Sequence, residues 1–210
     1  MKKSFIAPRK QRHREATIQS ILDTARAIMR EEGVAALSLH ELARRMNMRA
    51  PSLYNYFSSK MDIYDALFRL GFTMYDAHFQ EQLQASTGIQ DELRIALESY
   101  MSFALANPEL YQLCFERPVP GFVPSQESLD LSFGILQKSY ARVAQLKQQL
   151  DTPLTAEQLT DMVIAVAHGL TALHLANEPH LPLGQGRFGA LIPTLVAVLE
   201  KSMPVKGEPQ

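Results

Sequence analysis

The sequence is poor in the residues that build disulfides and membrane spans. Cys114 is the single cysteine among 210 residues, which excludes an intrachain disulfide and a metal site made of several cysteines. This usage fits a reducing compartment, and we expect a cytoplasmic protein. No run of about 18 apolar residues occurs, so we expect no membrane span and no membrane partner. The stretch from Pro8 to Arg14 is polar where a signal peptide needs an apolar core, so no signal peptide is predicted.

Segments that alternate apolar and polar residues, as half-buried strands do, are also missing, and there is no internal repeat. Apolar residues instead recur three and four positions apart, first at Ile18, Ile21, Leu22, Ala25, Ile28 and Met29. Ser38 with Glu41, and Thr155 with Gln158, have the spacing of helix capping boxes. We predict an all-α fold of about nine helices, with short helices in the N-terminal part and longer ones after it.

Net charge is nearly absent over the whole chain, at −1, but it is unevenly distributed. Residues 1–62 carry 12 Lys and Arg against 6 Asp and Glu, a net charge of +6. Residues 63–210 carry 9 against 16, a net charge of −7. Such an asymmetry indicates a basic N-terminal segment that meets a polyanion and an acidic remainder that does not.

The basic part contains a helix, a tight turn and a second short helix within residues 38–57. Asn47 suits the turn, because asparagine tolerates a left-handed backbone, and the second helix is predicted from about Ala50 to Tyr56. Leu53 and Phe57 are spaced to face the core, which leaves the polar residues between them pointing outward. Arginine can bind guanine, asparagine can bind adenine, and hydroxyl groups can reach phosphates. A basic arm with Lys2, Lys3, Arg9, Lys10, Arg12 and Arg14 precedes this motif and can lie along phosphates.

These residues resemble the N-terminal domain of the tetracycline-repressor (TetR) family of transcriptional regulators. The resemblance rests on Ser38-Leu-His-Glu-Leu-Ala43, on Ala50-Pro-Ser-Leu-Tyr-Asn-Tyr-Phe57, and on Lys60 after them. Asn47 departs from the family, which usually has glycine there. The resemblance implies that the second helix enters the major groove of operator DNA. The DNA-binding residues predicted in this way, together with the arm, are Ser38, Arg49, Ala50, Ser52, Tyr54, Asn55, Tyr56, Lys60, Lys10 and Arg12.

The C-terminal half resembles a TetR subfamily with a Trp-His-Gly signature, although Ala167-His168-Gly169 lacks the tryptophan. The resemblance implies a domain that binds an unknown small-molecule effector and dimerises, so that the protein is a repressor released by its ligand. Aromatic, Met and His positions predict the ligand residues Tyr100, Met101, Tyr111, Phe115, Phe133 and His168. The helices predicted at 156–177 and 187–203 are apolar around much of their circumference, so we expect a homodimer through Ala165, Gly169, Ala172, Leu173, Leu191 and Leu195.

The predicted organisation is a flexible arm at 1–14, a three-helix DNA-binding domain at 15–60, a regulatory and dimerisation domain at 61–203, and a tail at 204–210. No cofactor and no metal are expected. Gly184-x-Gly186-x-x-Gly189 has the letters of a dinucleotide fingerprint but no preceding strand, so we interpret it as loop glycines. His168 and His174 are six residues apart and do not form a metal pair. Cys114 is interpreted as a small buried residue, with a redox-sensing thiol as the alternative.

Two other functions remain open. The chain can be an all-helical enzyme or ligand-binding protein whose basic N-terminus is incidental. An enzyme is disfavoured because no nucleophile–base pair and no carboxylate pair occurs at a usable spacing. The chain can also be an architectural protein that binds DNA without sequence preference.

Overall fold

The computed structural model describes residues 8–86 and 88–206. Over this part of the chain the secondary structure is helical, and the strand-like pairing is limited to one isolated bridge between Leu150 and Val205. The predicted all-α fold is therefore confirmed. The described helices are α1 (Pro8–Glu32), α2 (Leu39–Arg45), α3 (Ala50–Leu53), α4 (Lys60–Leu83), α5 (Ile89–Ala106), α6 (Pro108–Tyr111), α7 (Gln126–Lys147), α8 (Ala156–Asn177), α9 (Gly186–Gly189) and α10 (Ile192–Ser202).

The chain folds into two compact units. Unit 1 takes the chain up to Gly71 together with Glu109–Ser128, and unit 2 takes Phe72–Pro108 together with the chain from Leu129 onward. Unit 1 therefore holds α1 to α3, the first half of α4, and most of α6 with the segment that follows it. Unit 2 holds α5, α8, α9, α10 and most of α7. The domain boundaries predicted after residues 14, 60 and 203 stay predictions.

Helix α1 is longer at its N-terminus than expected. Residues 8–14, which were assigned to a flexible arm, form its first two turns. A proline suits the first turn of a helix, and Gln11 donates a hydrogen bond to Glu15 one turn later at 3.1 Å. The helix ends before Gly33, whose φ of 96° favours glycine and whose N–H donates to the Met29 carbonyl at 3.0 Å. Lys2 and Lys3 of the predicted arm lie outside the described residues.

The two predicted capping boxes have different outcomes. Thr155 Oγ1 accepts from the Gln158 N–H at 3.1 Å, and the Gln158 side chain accepts from the Thr155 N–H at 2.9 Å, so this box is confirmed. The box at Ser38 was predicted wrongly, because the Ser38 side chain makes no capping hydrogen bond. The Glu41 carboxylate, which would complete it, accepts instead from Arg44 and Arg45 at 2.6–2.7 Å.

The core of unit 1 is built from one face of each N-terminal helix. Ile21, Ala25 and Ile28 of α1, Leu42 of α2, Leu53 of α3, and Ile63 and Leu67 of α4 are at most 1% exposed. The Tyr64 hydroxyl donates to the Val34 carbonyl at 2.7 Å, and burial raises the pKa of Tyr64 to about 12, which keeps this donor protonated. The core thus fixes α2 and α3 on a platform of α1 and α4.

The 109–128 segment closes the other side of unit 1. The Glu109 side chain is fully buried and accepts hydrogen bonds from Arg26 and Arg30 of α1 at 2.9–3.0 Å. The Phe122 ring packs against the ring of Tyr64, with the centroids 5.7 Å apart, and Ser125 donates to Asp65 at 2.8 Å. This segment therefore contacts both long helices of the unit.

Cys114 lies in the π-helical turn Gln112–Glu116 of this segment and is 4% exposed. Its Sγ lies 3.6 Å from the Phe68 carbonyl oxygen of α4. A Cβ atom added to Gly71 would lie 2.5 Å from this Sγ, so α4 approaches the turn closely only because residue 71 is glycine. This placement agrees with the interpretation of Cys114 as a small buried residue.

Unit 2 is built around α8, which packs against α5 and α9, while α10 also packs on α5. The predicted last helix is divided into α9 and α10, with Pro193 in the first turn of α10. Gly184, before α9, and Gly186, its first residue, have positive φ values of 78° and 73°. Gly184 therefore shapes a loop, as predicted, whereas Gly186 and Gly189 are the first and last residues of α9. Helix α8 is long and apolar enough to cross a membrane by length and composition. Within its most apolar 18 residues, 33% are buried inside the structure. Much of its apolar surface is therefore uncovered in the monomer.

Candidate nucleic-acid interface

Helices α2 and α3 are joined by a tight turn at Asn47. Asn47 has a φ of 52°, and the Met48 N–H donates to the Ala43 carbonyl at 2.8 Å, which closes the C-terminus of α2. Asparagine tolerates this left-handed conformation almost as glycine does, so the substitution noted in the sequence does not disturb the turn. Leu42 and Leu53, at 0% and 1% exposure, fix the two helices on the core. The predicted helix-turn-helix is therefore present.

Helix α3 is only one turn long, shorter than the predicted helix to Tyr56. A turn continues it, in which the Tyr56 N–H donates to the Leu53 carbonyl at 2.9 Å and the Asn55 N–H donates to the Ser52 carbonyl at 3.3 Å. Arg49 and Asn55 are exposed, and Tyr54 is 57% exposed. These three residues, which were predicted to read bases, are thus open to solvent, and their contact with DNA remains a prediction.

The remaining predicted DNA residues surround this surface along the chain. Ser38, Lys10 and Arg12 are exposed, whereas Ala50, Ser52, Tyr56 and Lys60 are half-buried. At the start of α4, Ser59 Oγ accepts from the Asp62 N–H at 3.2 Å, and the Asp62 carboxylate accepts from the Ser58 N–H at 3.0 Å. Ser59 therefore caps the N-terminus of α4. Lys60 Nζ lies 5.8 Å from the centre of the Tyr64 ring, a cation–π contact with the core.

Four of the arginines that make the N-terminal part basic are occupied by carboxylates. Arg26 and Arg30 bind Glu109, and Arg44 binds Glu41. Arg45 binds Glu31, Glu32 and Glu41 at 2.6–2.7 Å. Hydrogen bonds from Arg44 and Arg45 lower the pKa of Glu41 to about 2, so this network stays charged at neutral pH. The cations that remain for a polyanion therefore include Lys10, Arg49 and Lys60, which the sequence analysis selected.

Arg14 has a different place from the one predicted. It was predicted to be one of the cations of the arm. In the structure its Nη1 donates to the backbone carbonyl of Asn55 at 2.8 Å, and its guanidinium lies 5.3 Å from the centre of the Tyr56 ring. The hydrogen bond joins residues 41 positions apart. Periodicity gives no signal for such a contact, because both partners lie on exposed polar segments.

The predicted ligand residues are divided between the two units. In unit 2, Tyr100 and Met101 of α5 are buried, and the Tyr100 hydroxyl lies 3.0 Å from His168 Nδ1 of α8. Phe133, on α7 of the same unit, is 56% exposed. In unit 1, the rings of Tyr111 and Phe115 pack together with their centroids 5.7 Å apart. The structure therefore brings Tyr100 and His168 together, and the ligand site as a whole remains a prediction.

An aromatic cluster that the sequence analysis did not assemble surrounds Tyr100 in unit 2. The Tyr75 ring of α4 meets the rings of Tyr100 and Phe103 edge-on at 5.8 and 5.5 Å, and it stacks on Phe79 at 6.2 Å. Burial raises the pKa of Tyr75 well above its ordinary value. The Tyr75 spacing from Phe79, four residues on α4, was the available sequence signal.

The predicted dimer residues lie on two apolar stripes of unit 2. Leu173 and Leu191 are 48% and 40% exposed, and Ala165 is exposed as well. Gly169, Ala172 and Leu195 are half-buried. Ile164 and Val198, which sequence reasoning missed, are 41% and 52% exposed on the same helices. Ile164 lies eight residues before Ala172, and Val198 lies seven residues after Leu191. This helical spacing is the signal that could have found them.

Two family models match the chain. The model described as "Bacterial regulatory proteins, tetR family" matches residues 21–67, and the model described as "Tetracyclin repressor-like, C-terminal domain" matches residues 93–195. The chain belongs to the tetR family of regulatory proteins. The first match contains α2, the Asn47 turn and α3, and the second runs from within α5 to the first turn of α10. Membership of the Trp-His-Gly subfamily remains a prediction.

A curated relative is the uncharacterized HTH-type transcriptional regulator YobS of Bacillus subtilis strain 168. It is 33% identical over 96 residues, which are 46% of this chain and 50% of the relative. The chain spans about half the length of the curated relatives it matches.

Solved structures share the fold over most of their length. A protein of unknown function from Rhodococcus sp. RHA1 has a TM-score of 0.73 and 19% identity, covering 89% of this chain and 94% of that one. The transcriptional regulator FadR from Bacillus subtilis, solved with stearoyl-CoA, has a TM-score of 0.65 and 15% identity, covering 91% and 99%. At these identities the likeness shows the fold.

Proposed function

We propose that this tetR-family protein is a cytoplasmic, sequence-specific transcriptional regulator that binds a palindromic operator as a homodimer. It acts as a repressor and releases the operator when a small molecule binds unit 2. The observation that supports this most is the surface of Arg49 to Tyr56, which faces outward from a short helix fixed on the core. Neither an enzyme activity nor a cofactor is part of the proposal, because the residues of this surface offer hydrogen bonds and charge and no reactive pair.

The surface can read a base sequence. Arg49 stands at the N-terminus of α3, the end that recognition helices present to base edges, and its guanidinium can bind O6 and N7 of a guanine. The Asn55 side chain can bind N6 and N7 of an adenine. Lys10, Arg12 and Lys60 would neutralise phosphates on either side, which gives affinity that is independent of sequence.

A dimer follows from the size of the motif. One short helix covers only a few base pairs, so specific binding requires two such helices about 34–36 Å apart, or a multiple of that spacing. The exposed apolar stripes on α8 and α10 supply a self-complementary surface, since a two-fold axis places the same patch on both partners. Gly169 and Ala172 within the stripe allow the backbones to approach closely. Leu173 and Leu191 would lose their exposure to water, which favours association.

The effector is proposed to bind near the Tyr100–His168 pair. This pair offers a hydroxyl and a ring nitrogen within an aromatic and apolar surrounding, which suits an apolar or aromatic molecule with one polar group. The structurally similar FadR of Bacillus subtilis was solved with stearoyl-CoA, which supports a ligand with a long apolar part. Binding weakens the operator complex only if the ligand favours the conformation that does not bind DNA.

Footprinting of the purified protein on the DNA that flanks its own gene tests the proposal. We expect a protected inverted repeat, with each half protected by one protomer. Transcription from the same fragment should fall when the protein is added, and a rise would identify an activator. An architectural protein would protect the fragment without defined boundaries, and an enzyme or ligand-binding protein with an incidental basic end would protect nothing.

A further inference from the structure

Arg14 joins the start of the DNA-binding unit to its recognition surface. Its Nη1 donates to the Asn55 backbone oxygen at 2.8 Å, and the guanidinium lies over the Tyr56 ring at 5.3 Å. Both partners lie in the turn that follows α3, where Tyr54 and Asn55 are exposed and Tyr56 and Phe57 are half-buried. Arg14, which the sequence placed in the phosphate-binding arm, therefore uses its guanidinium to contact the turn after α3.

The turn after α3 needs such support. Helix α3 has four residues, and a helix of one turn leaves its last carbonyl groups without partners inside the helix. The Asn55 oxygen lies in the turn two residues beyond the last residue of α3, and Arg14 supplies a charged donor to it. Hydrogen bonds with a charged donor are stronger than neutral ones, and the planar guanidinium adds a stacking contact with Tyr56.

The contact leaves the polar end of Asn55 available. Arg14 binds the backbone oxygen and not the side chain, so the Asn55 amide stays exposed and can face a base. Fixing the backbone at this residue fixes the direction of its side chain, because the Cα–Cβ bond follows the backbone. The same argument applies to Tyr56, whose ring has one face against Arg14.

We infer that Arg14 is a positioning residue for sequence recognition and not a phosphate contact. It orients the turn at residues 54–56 so that the Asn55 side chain binds its preferred base in the operator more tightly than any other base at that position. The inference rests on the proposed function, since it takes α3 and its turn as the part that reads DNA. It adds a residue of α1 to the determinants of operator specificity.

The test compares Arg14→Gln with Lys10→Gln, which removes the same charge from an exposed position one turn earlier on α1. For each variant, affinity is measured on the operator and on an unrelated duplex over a range of salt concentrations. A phosphate contact contributes about 0.9 to the slope of log affinity against log salt on every sequence. We expect Lys10→Gln to lower the slope by that amount and to leave the ratio of operator to unrelated affinity unchanged.

For Arg14→Gln we expect the opposite result. The slope should stay at the wild-type value, and the operator ratio should fall about tenfold, the size expected for one lost charge-assisted hydrogen bond. Amide hydrogen exchange should accelerate at residues 54–57 and not along α1. A slope that falls as in Lys10→Gln, or an operator ratio that does not change, overturns the inference.

A third variant keeps the experiment decisive if Arg14→Gln is unstable. Arg14→Lys retains the charge and a single donor but loses the planar stack on Tyr56, so the operator ratio should fall by less than in Arg14→Gln at an unchanged slope. An Arg14→Lys protein with the wild-type ratio overturns the inference. Arg49→Ala and Asn55→Ala separate this outcome from a failure of the proposed function. If neither Arg49→Ala nor Asn55→Ala changes operator preference, α3 does not read DNA and the proposed function fails. If both change operator preference but Arg14→Gln does not, only the positioning role of Arg14 is refuted.

Discussion

The buried carboxylate of Glu109 gives the most demanding prediction about unit 1. Its side chain is 0% exposed, while those of its partners Arg26 and Arg30 are 20% and 50% exposed. Replacing both arginines by glutamine leaves a buried charge without charged partners, which costs about 3–5 kcal/mol of unfolding free energy. Glu109→Gln removes the buried charge itself and leaves two cations that reach water, so it costs only about 1–2 kcal/mol, the price of the lost hydrogen bonds.

Urea unfolding followed by far-ultraviolet circular dichroism measures these differences. A triple variant in which Glu109, Arg26 and Arg30 are all changed to methionine should be more stable than the double arginine variant, because no unpaired charge stays buried. Arg94→Gln is the matched control. Arg94 pairs with Asp91 and Glu98 on the surface of unit 2, so its loss should cost less than about 1 kcal/mol.

The order of the variants decides whether the reasoning is right. We expect the double arginine variant to be the least stable, followed by Glu109→Gln and then Arg94→Gln. If Glu109→Gln is as destabilising as the loss of both arginines, the desolvated carboxylate is not what determines the stability of this contact. If Arg94→Gln is equally damaging, burial is not the deciding variable.

Three further predictions concern acid stability, packing and assembly. Burial raises the pKa of Asp65, but hydrogen bonds from two serines and the charge of a nearby arginine outweigh burial and hold this pKa below the ordinary 3.8. The ionised carboxylate therefore stabilises the fold fully above pH 3.8, and this stabilisation is lost as the pH falls through the lowered pKa. Asp65→Asn should flatten the acid side of a plot of unfolding free energy against pH, and an unchanged acid side would contradict this. Gly71→Ala should destabilise by about 1–3 kcal/mol in urea unfolding because of the Cys114 Sγ, and adding Cys114→Ala should recover part of the loss. A Cβ at Gly169 or at Gly134 meets nothing within 4 Å, so a leucine fits in the monomer at either position. Because only Gly169 belongs to the predicted dimer interface, Gly169→Leu should sediment as a folded monomer and Gly134→Leu as a dimer. A dimeric Gly169→Leu protein argues against this interface.

Local signals in the sequence were sufficient for most helices of the fold. The three- and four-residue spacing found α1, and the short signals at Asn47 and Thr155 found helix ends that the structure confirms. The same signal at Ser38 was misleading. Glu41 has arginines three and four positions later, which capture its carboxylate, whereas Gln158 is neutral and has no such competitor.

Contacts between distant residues were not accessible from the sequence. Glu109 and Arg26 are 83 positions apart, and nothing in the spacing of either residue indicates the other. For the same reason the sequence could not assign the 109–128 segment to unit 1 or separate Arg14 from the other basic residues near it. Composition indicates that charges are present, but only the fold determines which of them are paired.

Selection of binding sites from random duplex DNA tests the central claim most directly. Wild-type protein and Asn55→Ala are each used to enrich sequences, which are then read out in full. A sequence-specific dimeric regulator should enrich one inverted repeat with half-sites about one or two helical turns apart, and Asn55→Ala should relax one position in each half. Enrichment without any shared motif, or the same motif with equal stringency from both proteins, would contradict the account.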